Sequence, residues 1–130
     1  MEKKEIRVVA GIIIKENKIL AVKRGYGKWK GYWEFPGGKI EINETTQDAL
    51  KRELKEELDI EISDLKFLTD IEYSYPDFNL AMECYTCSLL SHEITLKEHE
   101  EMRWLRPDEL DSLQWLPADY QIFPLLKFHF

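Results

Sequence analysis

Glu53, Glu56 and Glu57 fall within five residues of one another. On a helix, residues three and four apart are neighbours, and like charges at those spacings cost roughly 0.2–0.5 kcal/mol per pair. A divalent cation would offset that repulsion. Magnesium takes oxygen ligands in octahedral geometry and keeps waters and substrate phosphates in its shell. Gly37 and Gly38 lie just upstream, with no side chain to hold the backbone away from a ligand, so a carbonyl there could join the shell. Arg52 stands beside the acids; a guanidinium matches a carboxylate bidentately, which makes Glu44 its natural partner. In such a site the metal neutralises pyrophosphate and helps activate water, while one glutamate accepts a proton. The competing reading of "KRELKEELD" is a solvated face on which Lys51, Arg52 and Lys55 partner the acids. The two glycines and the fixed offsets around them favour the metal.

These residues need a helix to hold them. Thr45 is placed to cap one, with Asp48 three residues on as in a capping box. Leu50, Leu54 and Leu58 form an apolar stripe at i, i+4 and i+8. At 100° per residue the three glutamates fall on an arc beside that stripe. The leucines should bury against a sheet and leave the carboxylates at its edge, facing a cleft.

The sheet is readable on both sides of the helix. "EIRVVAGIIIKENKILAVKR" predicts a hairpin around Glu16-Asn17-Lys18. "GYGKWKGYWEFPGG" predicts a glycine- and aromatic-rich loop with a short strand at Trp33–Phe35. Downstream, "LKFLTDIEYSY" and "LAMECYTCSLL" predict two longer strands around a Pro76-Asp77 turn, and "EMRWL" a short one. "RPDELDSL" predicts a short helix with Pro107 and Asp108 in its first turn, and "PADYQIFPLLKFHF" a helix that Pro124 interrupts or kinks. Strands, helix, strands and helix in that order predict an α+β fold around a mixed sheet.

The 130 residues suit one domain, residues 1–130, with a core of its own. A net charge of −7 argues against binding nucleic-acid polymers, which need a basic face. It leaves room for a nucleotide, because a metal can bridge acidic protein to phosphate. No secretory signal and no run of roughly 20 apolar residues is visible, so a cytoplasmic protein without a membrane partner is expected. Cys84 and Cys87 are three apart on a predicted strand and so point to opposite faces, as two ordinary thiols. His92, His99 and His129 show no ligand spacing and read as incidental.

From Gly38 to Ile60 the chain resembles the Nudix hydrolases, whose signature is GX5EX7REUXEEXGU with U aliphatic. Gly38, Glu44, Arg52-Glu53-Leu54, Glu56-Glu57 and Ile60 meet it; Asp59 stands where the signature has glycine. That glycine ends the helix, so the departure bears on the helix terminus rather than on the acids. "WEFPGGKIE", "EYSYPD", "RWLRPDEL" and "LPAD" extend the likeness over nearly the whole chain and to the MutT-like branch. The resemblance implies an α/β/α sandwich with a central mixed sheet. It also implies cleavage of a nucleoside triphosphate into monophosphate and pyrophosphate with Mg2+ or Mn2+, clearing oxidised or surplus nucleotides of the 8-oxo-dGTP type. CTP or dCTP hydrolysis, or hydrolysis of another nucleoside diphosphate derivative, is the alternative; a non-catalytic nucleotide-binding module is a remote third.

Carried over by position, the Gly37 carbonyl, Glu53, Glu56 and Glu57 become metal-site groups, and Glu98 matches an additional glutamate from a late loop. Glu100 and Glu101 lie close enough to compete for that role. Glu53 is the first choice for general base and Glu98 the second, with Arg52 and Glu44 completing the catalytic set. Gly38 is an expected substrate contact, and Phe35, Phe78 and Asp119 are the expected contacts to the base, aromatic faces stacking and a carboxyl reading an edge. The competing reading of Asp119 is a helix N-cap. Lys23, Arg24 and Lys28 could meet the triphosphate, and each is also an ordinary surface cation. Tyr26, Trp29, Tyr32 and Trp33 could wall the pocket, Trp33 being the best core candidate. Monomer and homodimer both suit the sequence.

Overall fold

The computed structural model describes residues 3–127, so His129 and the end of the tail lie outside the described residues. β1 (Lys4–Lys15) and β2 (Lys18–Arg24) are joined by Glu16 and Asn17, whose φ values of 52° and 63° are those of a two-residue hairpin turn. The strands pair directly only at Ile14–Ile19 and Lys15–Lys18. Beyond that they diverge, and residues 33–39 fill the gap. β3 (Trp33–Glu34) pairs with β2, and β4 (Gly37–Lys39) pairs with β1 at Val8, Val9 and Ala10. Between them the Gly11 N–H donates to the Pro36 carbonyl at 2.8 Å.

β4 corrects the expectation of a loop after Phe35. Glycines carry almost no strand propensity, so nothing local announced it. The diverging edge of β1 has backbone groups that need partners, and "GGK" supplies them. The approach is close enough that a Cβ on Gly37 would collide with the Val9 carbonyl.

The rest of the sheet grows outward from β1. β6 (Phe78–Leu89) runs parallel to it, and β5 (Ile62–Ser74) runs antiparallel to β6 beyond the turn at Pro76-Asp77. β7 (His99–Leu105) lies antiparallel along the other edge of β2. The order is β3-β2-β1-β6-β5, mixed as expected.

Each face of this sheet has its own cover. α1 (Thr46–Leu58) buries Leu50, Leu54 and Leu58 against Val9, Ile13, Leu20 and Val22. On the other face Ala10, Ile12, Ile19 and Ala21 pack under Trp115, Ile122, Phe123 and Leu126. The result is an α/β/α sandwich. Cys84 belongs to one core and Cys87 to the other, both free thiols.

Two C-terminal expectations change. Residues Pro107–Ser112 form a 3-10 turn, not an α-helix. Pro117–Ile122 is a second such turn, and Pro124 sits in the first turn of α2 (Phe123–Lys127). A proline there forfeits only an N–H that would have no helical partner, so it starts this helix rather than kinking it.

α1 begins where expected, with Thr45 Oγ1 accepting the Asp48 N–H at 3.1 Å. It ends on Asp59 in the left-handed conformation (φ 53°, ψ 44°) that the missing glycine would take without strain. No described helix is long and apolar enough to cross a membrane.

Candidate active site

A cavity of about 590 Å3 opens where β1 and β2 part, and α1, β4 and the start of β7 all contribute to its walls. One end is acidic. Glu53, Glu56, Glu57 and Glu98 line it together with Arg52, Gly37 and Gly38. Arg52 grips Glu44 bidentately, with Nε 2.7 Å from Oε2 and the second guanidinium nitrogen 2.9 Å from Oε1. It also reaches the Lys39 carbonyl at 3.0 Å, Glu53 at 3.0 Å and Glu56 at 3.2 Å. Arg52 thus ties α1 to β4 and orients two of the acids. Its hydrogen bonds, together with the Glu41 backbone N–H, hold the Glu44 carboxyl down to about 2.

Glu53 lies directly on Gly38, where a Cβ would run into its carboxylate. Burial raises the Glu53 pKa above the ordinary carboxylate range, against the pull of Arg52. Glu57 is pushed up to about 8, first by burial and then by the charges of Glu53, Glu34 and Glu98. Among the described residues no three acidic, histidine or cysteine side chains converge on one point at ligand distance. Arg52 stands between Glu53 and Glu56, bonded to both. The donors themselves are what a hard divalent ion takes: carboxylate oxygens crowded and partly desolvated, with one guanidinium among them.

The other end is apolar and closes on Asp119. Phe78 stacks on Tyr75 with centroids 5.0 Å apart, and Leu80 and Met82 line the slot beside them. Asp119 is 4% exposed, and its Oδ2 accepts the Phe35 N–H at 2.9 Å. Burial, then the charge of Glu34, pushes the Asp119 carboxyl up to about 8. It lies inside the 3-10 turn whose N-cap is Leu116, which sets aside the capping reading. The Phe35 ring packs on Trp115, centroids 4.6 Å apart, and on Phe123. What Phe35 presents to Asp119 is its backbone rather than a stacking face.

Several expected contacts fall elsewhere. Lys23 is outside the cavity wall, 3.8 Å from Glu100 and 3.9 Å from Glu101, and Lys28 pairs with Asp77 at 3.5 Å. This separates the late glutamates: Glu98 lines the acidic end and takes a hydrogen bond from Tyr26, while Glu100 and Glu101 face Lys23. Tyr26 and Trp29 do wall the cavity, whereas Trp33 is core. Tyr32 instead accepts a hydrogen bond from Gln114.

Arg24 lines the cavity but spends one guanidinium nitrogen on Glu34, at 3.2 and 3.3 Å. The same carboxylate lies 3.2 Å from His99 Nε2. His99, whose side chain is 7% exposed, is therefore not incidental. Glu34 went unnoticed in the sequence, because a glutamate between two aromatics, Trp33 and Phe35, reads as the solvent-facing position of an alternating strand. It links the two ends, acting on Glu57 at one and Asp119 at the other.

The family model for the NUDIX domain matches residues 5–126. An 8-oxo-dGTP diphosphatase of Buchnera aphidicola subsp. Schizaphis graminum is 37% identical over 129 residues, covering 98% of each chain. A CTP pyrophosphohydrolase of Escherichia coli K12 is 33% identical over 125 residues, covering 95% of this chain and 90% of that one. The crystal structure of a MutT NUDIX hydrolase from Burkholderia pseudomallei superposes with a TM-score of 0.86 at 23% identity, over 95% of this chain and 98% of that one.

Proposed function

The chain belongs to the NUDIX domain family, and from that membership we propose that it splits a nucleoside triphosphate into the monophosphate and pyrophosphate with a divalent metal, Mg2+ or Mn2+. One observation carries the reading: a single cavity joins an acidic end on α1 to an apolar slot that closes on a buried carboxyl. The acidic end suits a metal-bound pyrophosphate, and the slot suits a base.

Glu53, Glu56, Glu57, Glu98 and the Gly37 carbonyl are the groups that would hold the ion. When bound, it supplies neutralisation of phosphate charge and a lowered pKa for bound water. Arg52 orients Glu53 and Glu56 and is itself fixed by Glu44. Glu53, raised by burial, is suited to take a proton as general base, with Glu98 the second candidate for that role. Arg24 borders the path between the two ends.

Asp119 and Phe78 select the base. With its pKa near 8, Asp119 is neutral at pH 7 and offers one donor and one acceptor, the pattern an amide offers. That pattern complements N4-amino and N3 of cytosine, and N7–H and O6 of 8-oxoguanine. On the same N7/O6 edge it does not complement guanine, where both atoms accept, so discrimination against dGTP requires that the slot meet the purine by that edge. Both relatives described above act, by name, on such bases.

The test is a panel of 8-oxo-dGTP, dGTP, CTP, dCTP and a nucleotide sugar, with Mg2+ and with Glu53→Gln as control. We expect kcat/KM for 8-oxo-dGTP, or for CTP and dCTP, to exceed that for dGTP by at least tenfold, about the value of one good base-edge contact. Glu53→Gln should abolish most of it. Preference for the sugar nucleotide, or equal use of dGTP, would overturn this assignment of the slot.

A further inference from the structure

Glu98 is the one acid of the cluster that α1 does not carry, and it owes its place to residues outside the cluster. Among the described residues its carboxylate takes one hydrogen bond, from the Tyr26 hydroxyl at 3.2 Å. Its backbone is fixed on both sides. Ahead of it, the Lys97 N–H donates to the Glu57 carbonyl at 3.3 Å and the Thr95 N–H to the Leu58 carbonyl at 2.9 Å. These are carbonyls of the last turn of α1, which lack helical partners. Behind it stands His99, with Nε2 3.2 Å from Glu34, whose carboxylate Arg24 also holds. A carboxylate only accepts, so the Nε2 hydrogen lies on that side.

This contact depends on a bulge. Lys23 faces Glu101, and the next residue, Arg24, faces His99, so Glu100 has no opposite residue in the ladder. In an unbroken ladder Arg24 would face Glu100, and His99 would share the face of Glu101, turned away from the cavity. Gly25 permits the arrangement, since a Cβ there would collide with the Glu98 carbonyl.

We propose that His99 is a positioning residue for Glu98: bonded to Glu34 across the bulge, it sets where the Glu98 carboxylate stands in the acidic end of the cavity, and so how tightly this end holds a divalent cation. The proposal rests on reading the acidic end as a metal site. The side chain of His99 does not itself touch substrate or ion.

Mn2+ is the probe, its binding to the full chain titrated by electron paramagnetic resonance without nucleotide. Wild type, Glu98→Gln, His99→Phe, the double variant and His99→Gln are compared. Loss of a residue that orients a ligand costs about 10–100-fold in metal affinity, and His99→Phe should fall near the lower figure. His99→Gln, which keeps an N–H toward Glu34, should recover most of it. In the Glu98→Gln background His99→Phe should add nothing further. An equal loss in both backgrounds, or no loss in either, overturns the proposal. Where His99→Phe does not fold, Gly25→Ala displaces the same loop and must show the same dependence on Glu98, independent losses again overturning it. Failure of wild type to bind Mn2+ sinks the metal reading and this inference together. Weakening by Glu57→Gln but not by Glu98→Gln leaves the metal reading standing and sinks this inference alone.

Discussion

Asp119 and Glu57 are both carboxyls pushed up to about 8, and their surroundings differ. After burial, Glu57 owes its shift to three other carboxylates, a crowding that a cation relieves. Asp119 owes its shift to burial and to Glu34, and the Phe35 N–H only partly opposes them. Its neutral form is the one the fold favours, which has a consequence for stability. A carboxyl raised in the folded state stabilises fully below its ordinary range, near pH 4, and that contribution is lost as pH rises through about 8. Urea unfolding of wild type and Asp119→Asn across pH 4–9 should therefore show wild type losing ground to the variant as pH rises, by at most about 1.4 kcal/mol per unit. A difference that stays flat over that range would mean Asp119 is ionised throughout. The motif acids were legible in the sequence because their spacing along one helix is covalent. Glu34 and His99 were not, since they meet across 65 residues through a ladder whose bulge no local pattern reveals.

Elements were legible in proportion to their own signals. α1 was, because its cap, leucine stripe and acids agree on one helix. The long strands β1, β2, β5 and β6 were as well, from their β-rich runs. β4 was not, because its pairing comes from the need of the β1 edge rather than from "GGK" itself. The C-terminal turns were read as helix because proline and acidic residues open both kinds of turn. Asp59 offers a test of the one place where the motif departs. It holds a left-handed conformation that costs an L-residue strain, and it places a carboxylate at the negative end of α1, with the Lys55 ion pair at 3.1 Å in partial compensation. Asp59→Gly should raise the melting midpoint by about 2–4 °C, and Asp59→Ala should lower it. A lower midpoint for Asp59→Gly would mean that the Lys55 pair outweighs the backbone strain.

At the scale of the molecule, the cavity exists because two strands joined by a tight turn part after two residue pairs. The segment that fills the gap carries Glu34, Phe35, Gly37 and Gly38 to the same place. A chain of net charge −7 that lines one cavity with six glutamates would repel a triphosphate unless a cation stood between them. The bond that is broken decides whether such a cation serves triphosphate cleavage at this site. One triphosphate from the panel, turned over with Mg2+ and followed by 31P NMR, should give nucleoside monophosphate and pyrophosphate in equal amounts. It should give neither without the metal or with Glu53→Gln. Nucleoside diphosphate with inorganic phosphate, or turnover that survives both removals, would contradict the account.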